Sequence, residues 1–115
     1  MINGIVQDMQ ARVNVALRLP DRPDVEIEFV VDTGFAGALA LPSSAIALLG
    51  LSYLQEMVAN LANDDSVKAD VHVATIVWDG RELKVAVLAM GKRPLLGTVL
   101  LTQFVESGLV TINDY

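Results

Sequence analysis

Asp32 is the side chain in this sequence that is best placed to do chemistry. It follows residues 25–31, in which apolar side chains alternate with other residues as in a half-buried strand. A carboxylate at the end of such a strand needs hydrogen-bond donors nearby or a function that retains it, because burying a charge is costly. Thr33, Gly34 and the Gly37 amide can supply such donors. The turn that begins at Asp32 is therefore the first candidate for a catalytic site.

Composition restricts the other chemistry that this chain can perform. It contains no cysteine, which excludes disulfides, thiolate zinc sites and thiol nucleophiles. Its one histidine, His72, has no second ligand two or four residues further on, so we predict a structural side chain and no metal site. No serine lies in a Gly-x-Ser-x-Gly elbow, which leaves a serine hydrolase unsupported. We predict neither a metal nor a cofactor, and carboxylate or hydroxyl chemistry remains.

Two further segments suggest ligands but lack the required spacing. The run of small residues at 34–38 has neither the lysine nor the spacing of a phosphate-binding loop, and the acidic net charge opposes nucleotide binding. Asp64, Asp65 and Asp70 could bind calcium loosely, but their spacing differs from that of an EF-hand loop. We interpret Asp64 and Asp65 as part of a solvated acidic turn.

Length and charge indicate the class of protein. A chain of 115 residues with 53% hydrophobic side chains predicts one domain, residues 1–115, with an ample core. No apolar run approaches the roughly 18 residues that span a bilayer, and the first residues lack the basic and apolar regions of a signal peptide. We therefore expect a cytoplasmic protein. The net charge of -6 repels phosphate backbones and anionic membrane surfaces, so we expect neither nucleic acid nor a membrane as a partner.

The first half of the sequence predicts a hairpin followed by a helix. Residues 11–17 and 25–31 both alternate between apolar and other side chains, and a proline-rich turn at residues 20–23 separates them. We expect these two segments to be antiparallel strands. Pro42 with the serines after it, and Gly50, are typical of the start and the end of a short helix.

The middle of the sequence predicts further strands. Residues 55–61 and 67–78 are extended candidates on either side of a polar turn at residues 63–66, which favours a protruding hairpin. Asp79-Gly80 between apolar runs is typical of a type I′ turn. This turn should join the second strand to another over residues 83–88.

The last part predicts a helix and a strand. Thr98 is placed to begin a helix that continues to near Gly108, and residues 109–112 predict a final strand. We find no internal repeat, low-complexity segment or linker. The chain is therefore expected to be mostly β with one or two short helices.

The order of these features resembles a known family. An Asp32-Thr33-Gly34 turn after an apolar strand, then a short helix, a hairpin and Leu95-Leu96-Gly97 before a second helix, is similar to the arrangement in single-domain retropepsin-like (clan AA) aspartic proteases. The likeness spans most of the chain and is closest to the small prokaryotic members of that clan. The resemblance implies a retropepsin-like closed β-barrel and aspartic-type endopeptidase activity.

The chemistry of such a protease requires two copies of this chain. Peptide hydrolysis without a metal or a covalent nucleophile needs one carboxylate to take a proton from water while another gives one to the carbonyl oxygen. Two carboxylates about 3 Å apart share a single proton, because like charges that close cannot both ionise. The chain offers one such turn, so the second carboxylate must be Asp32 of a twofold-related partner. The resemblance thus implies a homodimer.

The resemblance also assigns roles to the neighbours of Asp32. The motif threonine of the family hydrogen-bonds across the dimer axis, a role that would fall to Thr33, although the plainer interpretation is a hydroxyl that satisfies the local backbone. Gly34 would direct its amide at the carboxylates, but a glycine is also the ordinary solution for a positive φ. Asp32, Thr33 and Gly34 form the predicted catalytic group, and residues 95–97 are expected to pack beneath the turn as scaffold.

A flap and a cleft follow from the same resemblance. The hairpin from about Val58 to Val71 lies where the family has the flap that closes over a peptide. Family flaps usually contain glycine near the tip and this one has none, so an exposed turn without a function is the alternative. Phe35 stands where the family usually has alanine or a hydroxyl residue, and its ring is expected to narrow the cleft. The residues predicted to bind substrate are Phe35, Ala36, Asn63, Asp64 and Asp65.

Three interpretations of function remain open at this point. The first is a homodimeric aspartic endopeptidase that binds an extended peptide or protein substrate as an added strand, with apolar residues on both sides of the cleaved bond. The second is a non-catalytic dimeric interaction module with a retropepsin-like fold. The third is a domain that works within a larger assembly and does not dimerise alone.

Overall fold

A computed structural model describes residues 2–7, 10–60, 65–78, 80–100 and 110–113. The described residues form a nine-stranded sheet and one complete α-helix. The elements are β1 (Ile2–Gln7), β2 (Gln10–Arg18), β3 (Val25–Val31), β4 (Leu39–Leu41), α1 (Ser43–Leu49), β5 (Ser52–Asn60), β6 (Ser66–Trp78), β7 (Arg81–Ala89), β8 (Leu95–Leu96) and β9 (Val110–Asn113). Residues 98–100 are also helical, so the helix expected at Thr98 begins there, and its expected continuation to Gly108 lies outside the described residues.

The sheet closes on itself. Its strand order is β5-β6-β7-β4-β8-β3-β2-β1-β9, and an additional pairing joins β6 to β2. The length of β6 makes this closure possible, since residues 66–73 pair with β5 and residues 75–77 pair with β2. The strands β2, β3, β8, β4, β7 and β6 consequently form a closed ring. The mostly β fold with a closed sheet that the sequence predicts is confirmed.

The hairpins of neighbouring strands are those that the sequence predicts. β2 and β3 are antiparallel, with Leu17 opposite Val25, and β6 and β7 are antiparallel, with Trp78 opposite Arg81. Gly80 has a φ of 80°, a backbone conformation that a type I′ turn requires. β7 begins at Arg81, two residues before the expected strand, because so tight a turn allows pairing to resume at once.

Strands β1, β4 and β5 also differ from the expectation. β5 begins at Ser52, earlier than the expected residues 55–61, because a bulge between Tyr53 and Gln55 interrupts the alternation of side chains. β4 was not expected, since its three residues are all buried and show no alternation. β1 was not expected either, because Asn3 and Gly4 disrupt its pattern and its pairing with β2 and β9 decides its conformation.

Helix α1 has the start and the end that the sequence predicts. The backbone amides of Ala45 and Ile46 donate to the Pro42 carbonyl, and Gly50 ends the helix in the left-handed region with a φ of 66°. Ile46 is the buried residue of the helix. No helix in the described part of the chain has both the length and the apolar character needed to cross a bilayer.

The buried side chains form two clusters. The larger one lies inside the closed ring and includes Val13, Val15, Leu17, Phe29, Leu39, Leu41, Ile76, Trp78 and Leu96. The smaller one consists of Ala40, Ala69, Val71 and Leu88, with Phe35, Met90 and Leu95 packed against it. The smaller cluster therefore connects the base of the β5–β6 hairpin to the turn that contains Asp32.

Replacing Leu17 by alanine tests the closure of the ring. Leu17 is 0% exposed and lies opposite both Val25 of β3 and Ile76 of β6. We expect Leu17→Ala to lower the free energy of unfolding by about 2–5 kcal/mol, because it leaves a cavity where β2 contacts β3 and β6. Chemical denaturation measures this loss. Leu48→Ala is the matched control, since Leu48 is 80% exposed and its truncation should cost less than about 0.5 kcal/mol. Equal losses from the two variants would contradict this account of the core.

Candidate active site

Asp32 lies at the end of β3, where a short parallel strand holds its backbone. β8 runs parallel to β3, with Val30 opposite Leu95. The amide of Val30 donates to the Pro94 carbonyl at 3.0 Å, and the amide of Asp32 donates to the Leu96 carbonyl at 2.9 Å. The backbone of Asp32 is thus fixed by the sheet, while its half-buried side chain leaves the sheet at the turn.

The Asp32 carboxylate receives one of the donors that the sequence predicts. The Gly34 amide donates to Asp32 Oδ1 at 2.9 Å, and the Phe35 amide donates to the Asp32 carbonyl at 3.1 Å. Gly34 does not adopt a positive φ, so the alternative explanation, that a glycine is needed here for a positive φ, was wrong. A Cβ at Gly34 would instead lie 3.3 Å from Asp32 Oδ1, which is a tight approach. Glycine therefore leaves room for the carboxylate that its own amide binds.

Thr33 takes no part in these interactions. It is exposed, and its hydroxyl has no hydrogen-bond partner within the described part of the chain. The interpretation of Thr33 as a hydroxyl that satisfies the local backbone therefore has no contact to support it. An exposed hydroxyl next to the candidate carboxylate is available to another molecule.

Residues 97–99 brace the far side of the turn. The amide of Gly97 donates to the Ala38 carbonyl at 2.9 Å, and the amide of Thr98 donates to the Phe35 carbonyl at 2.9 Å. The amide of Val99 donates to the Gly37 carbonyl at 3.3 Å. The Leu-Leu-Gly segment lies beneath the turn, as expected, and it acts on the turn through backbone hydrogen bonds.

Phe35 packs back onto two glycines. A Cβ at Gly37 would lie 2.6 Å from Cζ of the Phe35 ring, and a Cβ at Gly97 would lie 2.7 Å from Cδ2 of the same ring. The ring is half-buried and also packs against the smaller buried cluster. The two glycines thus leave space for the Phe35 ring, which the sequence analysis expected to narrow the cleft.

A cavity of about 650 Å³ opens beside the turn. Its walls include Asp32 and residues 34–38, Met57 and Val58 of β5, Lys84, Ala86 and Leu88 of β7, and Leu95, Val99 and Leu100. Most of these side chains are apolar, and the charged ones among the described residues are Asp32 and Lys84. A cavity with apolar walls and few polar groups is typical of a ligand-binding site.

The structure brings some of the predicted site residues together and not others. Asp32, Gly34, Phe35 and Ala36 all line the cavity, whereas the exposed Thr33 does not. Asp65 is exposed and does not line the cavity. Asn63 and Asp64 lie outside the described residues. The hairpin expected as a flap is present as β5 and β6, and it reaches the cavity through β5.

Sequence reasoning missed Met57, Val58 and Lys84 as cavity residues. Lys84 does carry a signal, because it is a charged side chain in the alternating run of β7, on the same face as Ala86 and Leu88. Met57 and Val58 follow the bulge in β5, which changes the face that each residue occupies, so alternation alone does not place them.

The site of one chain provides half of the acid-base chemistry that peptide hydrolysis needs. Among the described residues, Asp32 is the one carboxylate that lines the cavity. A single carboxylate cannot be both the proton acceptor and the proton donor in the same step. The described residues also contain no group of three or more side chains that could hold a metal ion.

Comparison with known proteins gives one informative match. No protein-family model matches the sequence, and no curated protein matches it. Among solved structures, the chain is similar to EIAV protease complexed with the inhibitor HBY-793, with a TM-score of 0.55 and 21% sequence identity. The match covers 76% of this chain and 91% of that chain. At this identity the likeness shows the fold, which is retropepsin-like.

The contact between Phe35 and Gly37 can be tested by a double-mutant cycle. We expect Gly37→Ala to lower the free energy of unfolding by about 1–3 kcal/mol, because its Cβ would displace the Phe35 ring. In a Phe35→Ala background the same substitution should cost almost nothing, since the obstructing ring is absent. Chemical denaturation of the four variants measures the coupling.

Gly97→Ala is the contrasting variant for this cycle. Its Cβ would lie 2.6 Å from the Phe35 backbone carbonyl oxygen, which truncation of the ring does not remove. The cost of Gly97→Ala should therefore persist in the Phe35→Ala background. If Gly37→Ala were equally destabilising with and without the ring, the packing described here would be incorrect.

Proposed function

We propose that this chain is a homodimeric aspartic-type endopeptidase that works as a single retropepsin-like domain in the cytoplasm. The observation that carries the proposal is the Asp32 carboxylate, fixed at the end of β3 and facing a mostly apolar cavity beneath a β-hairpin. The similarity in fold to EIAV protease supports the same class of activity. The prediction that the chain resembles small prokaryotic members of the clan more than other members rests on the order of the sequence motifs alone, and it stays a prediction.

The proposed mechanism uses one Asp32 from each protomer. One carboxylate is ionised and removes a proton from the attacking water, while the other is protonated and donates to the oxygen of the scissile carbonyl. The two groups share a single proton because they lie about 3 Å apart in the dimer. The tetrahedral intermediate then collapses as the amine leaves with a proton from the dyad.

Thr33 and Gly34 complete the catalytic group of the proposal. The Gly34 amide holds Oδ1 of Asp32, which orients the carboxylate before substrate arrives. Thr33 is exposed beside it. In the proposed dimer its hydroxyl contacts the same turn of the partner protomer. A residue that braces the two turns would keep the two carboxylates at a fixed separation.

The proposed substrate is an extended peptide. β5 is the last strand of the described sheet at one side, so its outer edge has no strand partner there. An extended peptide can add to such an edge through backbone hydrogen bonds while its side chains enter apolar pockets. Met57 and Val58 of β5 supply apolar walls next to Phe35 and Ala36, and the tip residues Asn63, Asp64 and Asp65 are proposed to close over the peptide.

Substitution of Asp32 tests the dyad. We expect Asp32→Asn to reduce cleavage of an unbiased peptide library at about pH 4–6 by roughly 100- to 10,000-fold, because an amide cannot exchange protons as the carboxyl pair does. Asp70→Asn is the matched control, since Asp70 is exposed on β6 and does not line the cavity. A statine-type transition-state analogue should inhibit the wild type. Undiminished cleavage by Asp32→Asn would rule out the proposed mechanism.

Dilution tests the requirement for a dimer. We expect the specific activity to fall as the protein is diluted below the dissociation constant of the dimer, which sedimentation measures independently. Thr33→Val should weaken the dimer by roughly tenfold if the hydroxyl bonds to the partner, whereas Thr33→Ser should leave it nearly unchanged. A monomer that cleaves peptides would contradict the proposal. A stable dimer that cleaves nothing would favour the non-catalytic interaction module, and a strict monomer would favour a domain of a larger assembly.

A further inference from the structure

Lys84 is a charged, exposed residue in the wall of the cavity, and the proposed reaction does not use it. It lies on β7, and the side chains two and four residues further along this strand, Ala86 and Leu88, also line the cavity. Alternate residues of a strand share one face, so this face of β7 forms a wall of the cavity. Lys84 therefore places one cationic side chain on an otherwise apolar wall.

The pairing of β7 places Lys84 on the side of the cavity where the Asp32 turn lies. β4 runs parallel to β7, with Leu39 opposite Val87. The residues that precede Leu39 belong to the turn, and they lie toward the start of β7 because the two strands run in the same direction. Ala36 and Gly37 line the same cavity as Lys84. The Lys84 side chain therefore borders the region that a bound peptide would occupy.

No acidic side chain in the described part of the chain neutralises Lys84. The acidic residue on the same face of β7, Glu82, is paired with Arg18, which also binds Asp24. The Asp32 carboxylate accepts from the Gly34 amide. The described contacts thus leave the positive charge of Lys84 available to a ligand.

The position of this charge makes it selective. Lys84 is exposed, so its ammonium group is accessible to a ligand, while the methylene groups of the lysine can lie along the apolar wall. The chain as a whole carries a net charge of -6, so it repels acidic peptides at long range. An acidic side chain of the peptide gains binding energy through an ion pair with Lys84. This gain is available only at the peptide position that lies next to Lys84.

We propose that Lys84 is a specificity-determining residue that receives an aspartate or glutamate side chain of the peptide substrate. This inference rests on the proposed function. A twofold dimer carries two Lys84 side chains, so the preference for an acidic residue should occur at two positions placed symmetrically about the cleaved bond. The residues that flank the cleaved bond itself remain apolar.

Cleavage of a random peptide library, with products identified by mass spectrometry, tests the inference. Wild type should enrich aspartate and glutamate roughly two- to fivefold at the symmetric pair of positions, as one exposed ion pair permits. Lys84→Gln should lose this enrichment, and Lys84→Glu should replace it with a preference for lysine and arginine. Lys92→Glu is the matched control, because Lys92 is exposed and does not line the cavity, and it should leave the wild-type profile unchanged.

The outcomes separate this inference from the proposed function. Wild-type cleavage with no acidic preference, or an acidic preference that persists in Lys84→Glu, would overturn the role of Lys84 and leave the protease intact. A profile changed equally by Lys92→Glu would also overturn it, because net charge would then be the cause. An absence of cleavage by the wild type would remove the proposed function and this inference together. Lys84→Gln keeps the test decisive if Lys84→Glu does not fold.

Discussion

The position of the Asp32 carboxylate depends on the backbone hydrogen bonds between its turn and residues 94–99. β8 is only two residues long, yet it pairs with β3 before the turn and with β4 after it. The amides that follow β8 then donate to carbonyls inside the turn. Both ends and the interior of the turn are therefore held by one continuous segment. A carboxylate mounted in this way is fixed before any ligand binds, which is a requirement for precise acid-base chemistry.

Small residues make this arrangement possible, and they also explain how the turn tolerates an aromatic residue. Gly97 allows the segment beneath the turn to approach the backbone of the turn more closely than any side chain would permit, and Gly37 leaves room for the Phe35 ring. The Phe35 ring fills the space that the two glycines leave. A large cavity remains open beside the ring. The unusual residue after the motif glycine is thus compatible with a functional cleft.

For the proposed reaction, the described site of one chain is chemically incomplete and has to be shared between two chains. Among the described residues, its cavity is lined by one carboxylate, one cation and mostly apolar side chains. In the proposed function, a partner would contact the exposed Thr33 next to the carboxylate. A peptide would contact the outer edge of β5, which has no strand partner within the described sheet. In the proposed function, dimer formation supplies the second carboxylate, and the cavity supplies the specificity.

The sequence by itself determined the local elements and the location of the candidate site. Alternating side chains identified β2 and β3, Gly80 marked the tight turn between β6 and β7, and the Asp-Thr-Gly turn identified Asp32. These features depend on residues that are close together in the chain. Only the tertiary structure decided the closure of the ring, the existence of β4 and the entry of Lys84 into the cavity. Each of these depends on contacts between distant segments, such as Leu17 with Ile76 and Ala40 with Leu88. The alternation in β7 gives the face on which Lys84 lies, but no local pattern in the sequence shows which segments pack against that face.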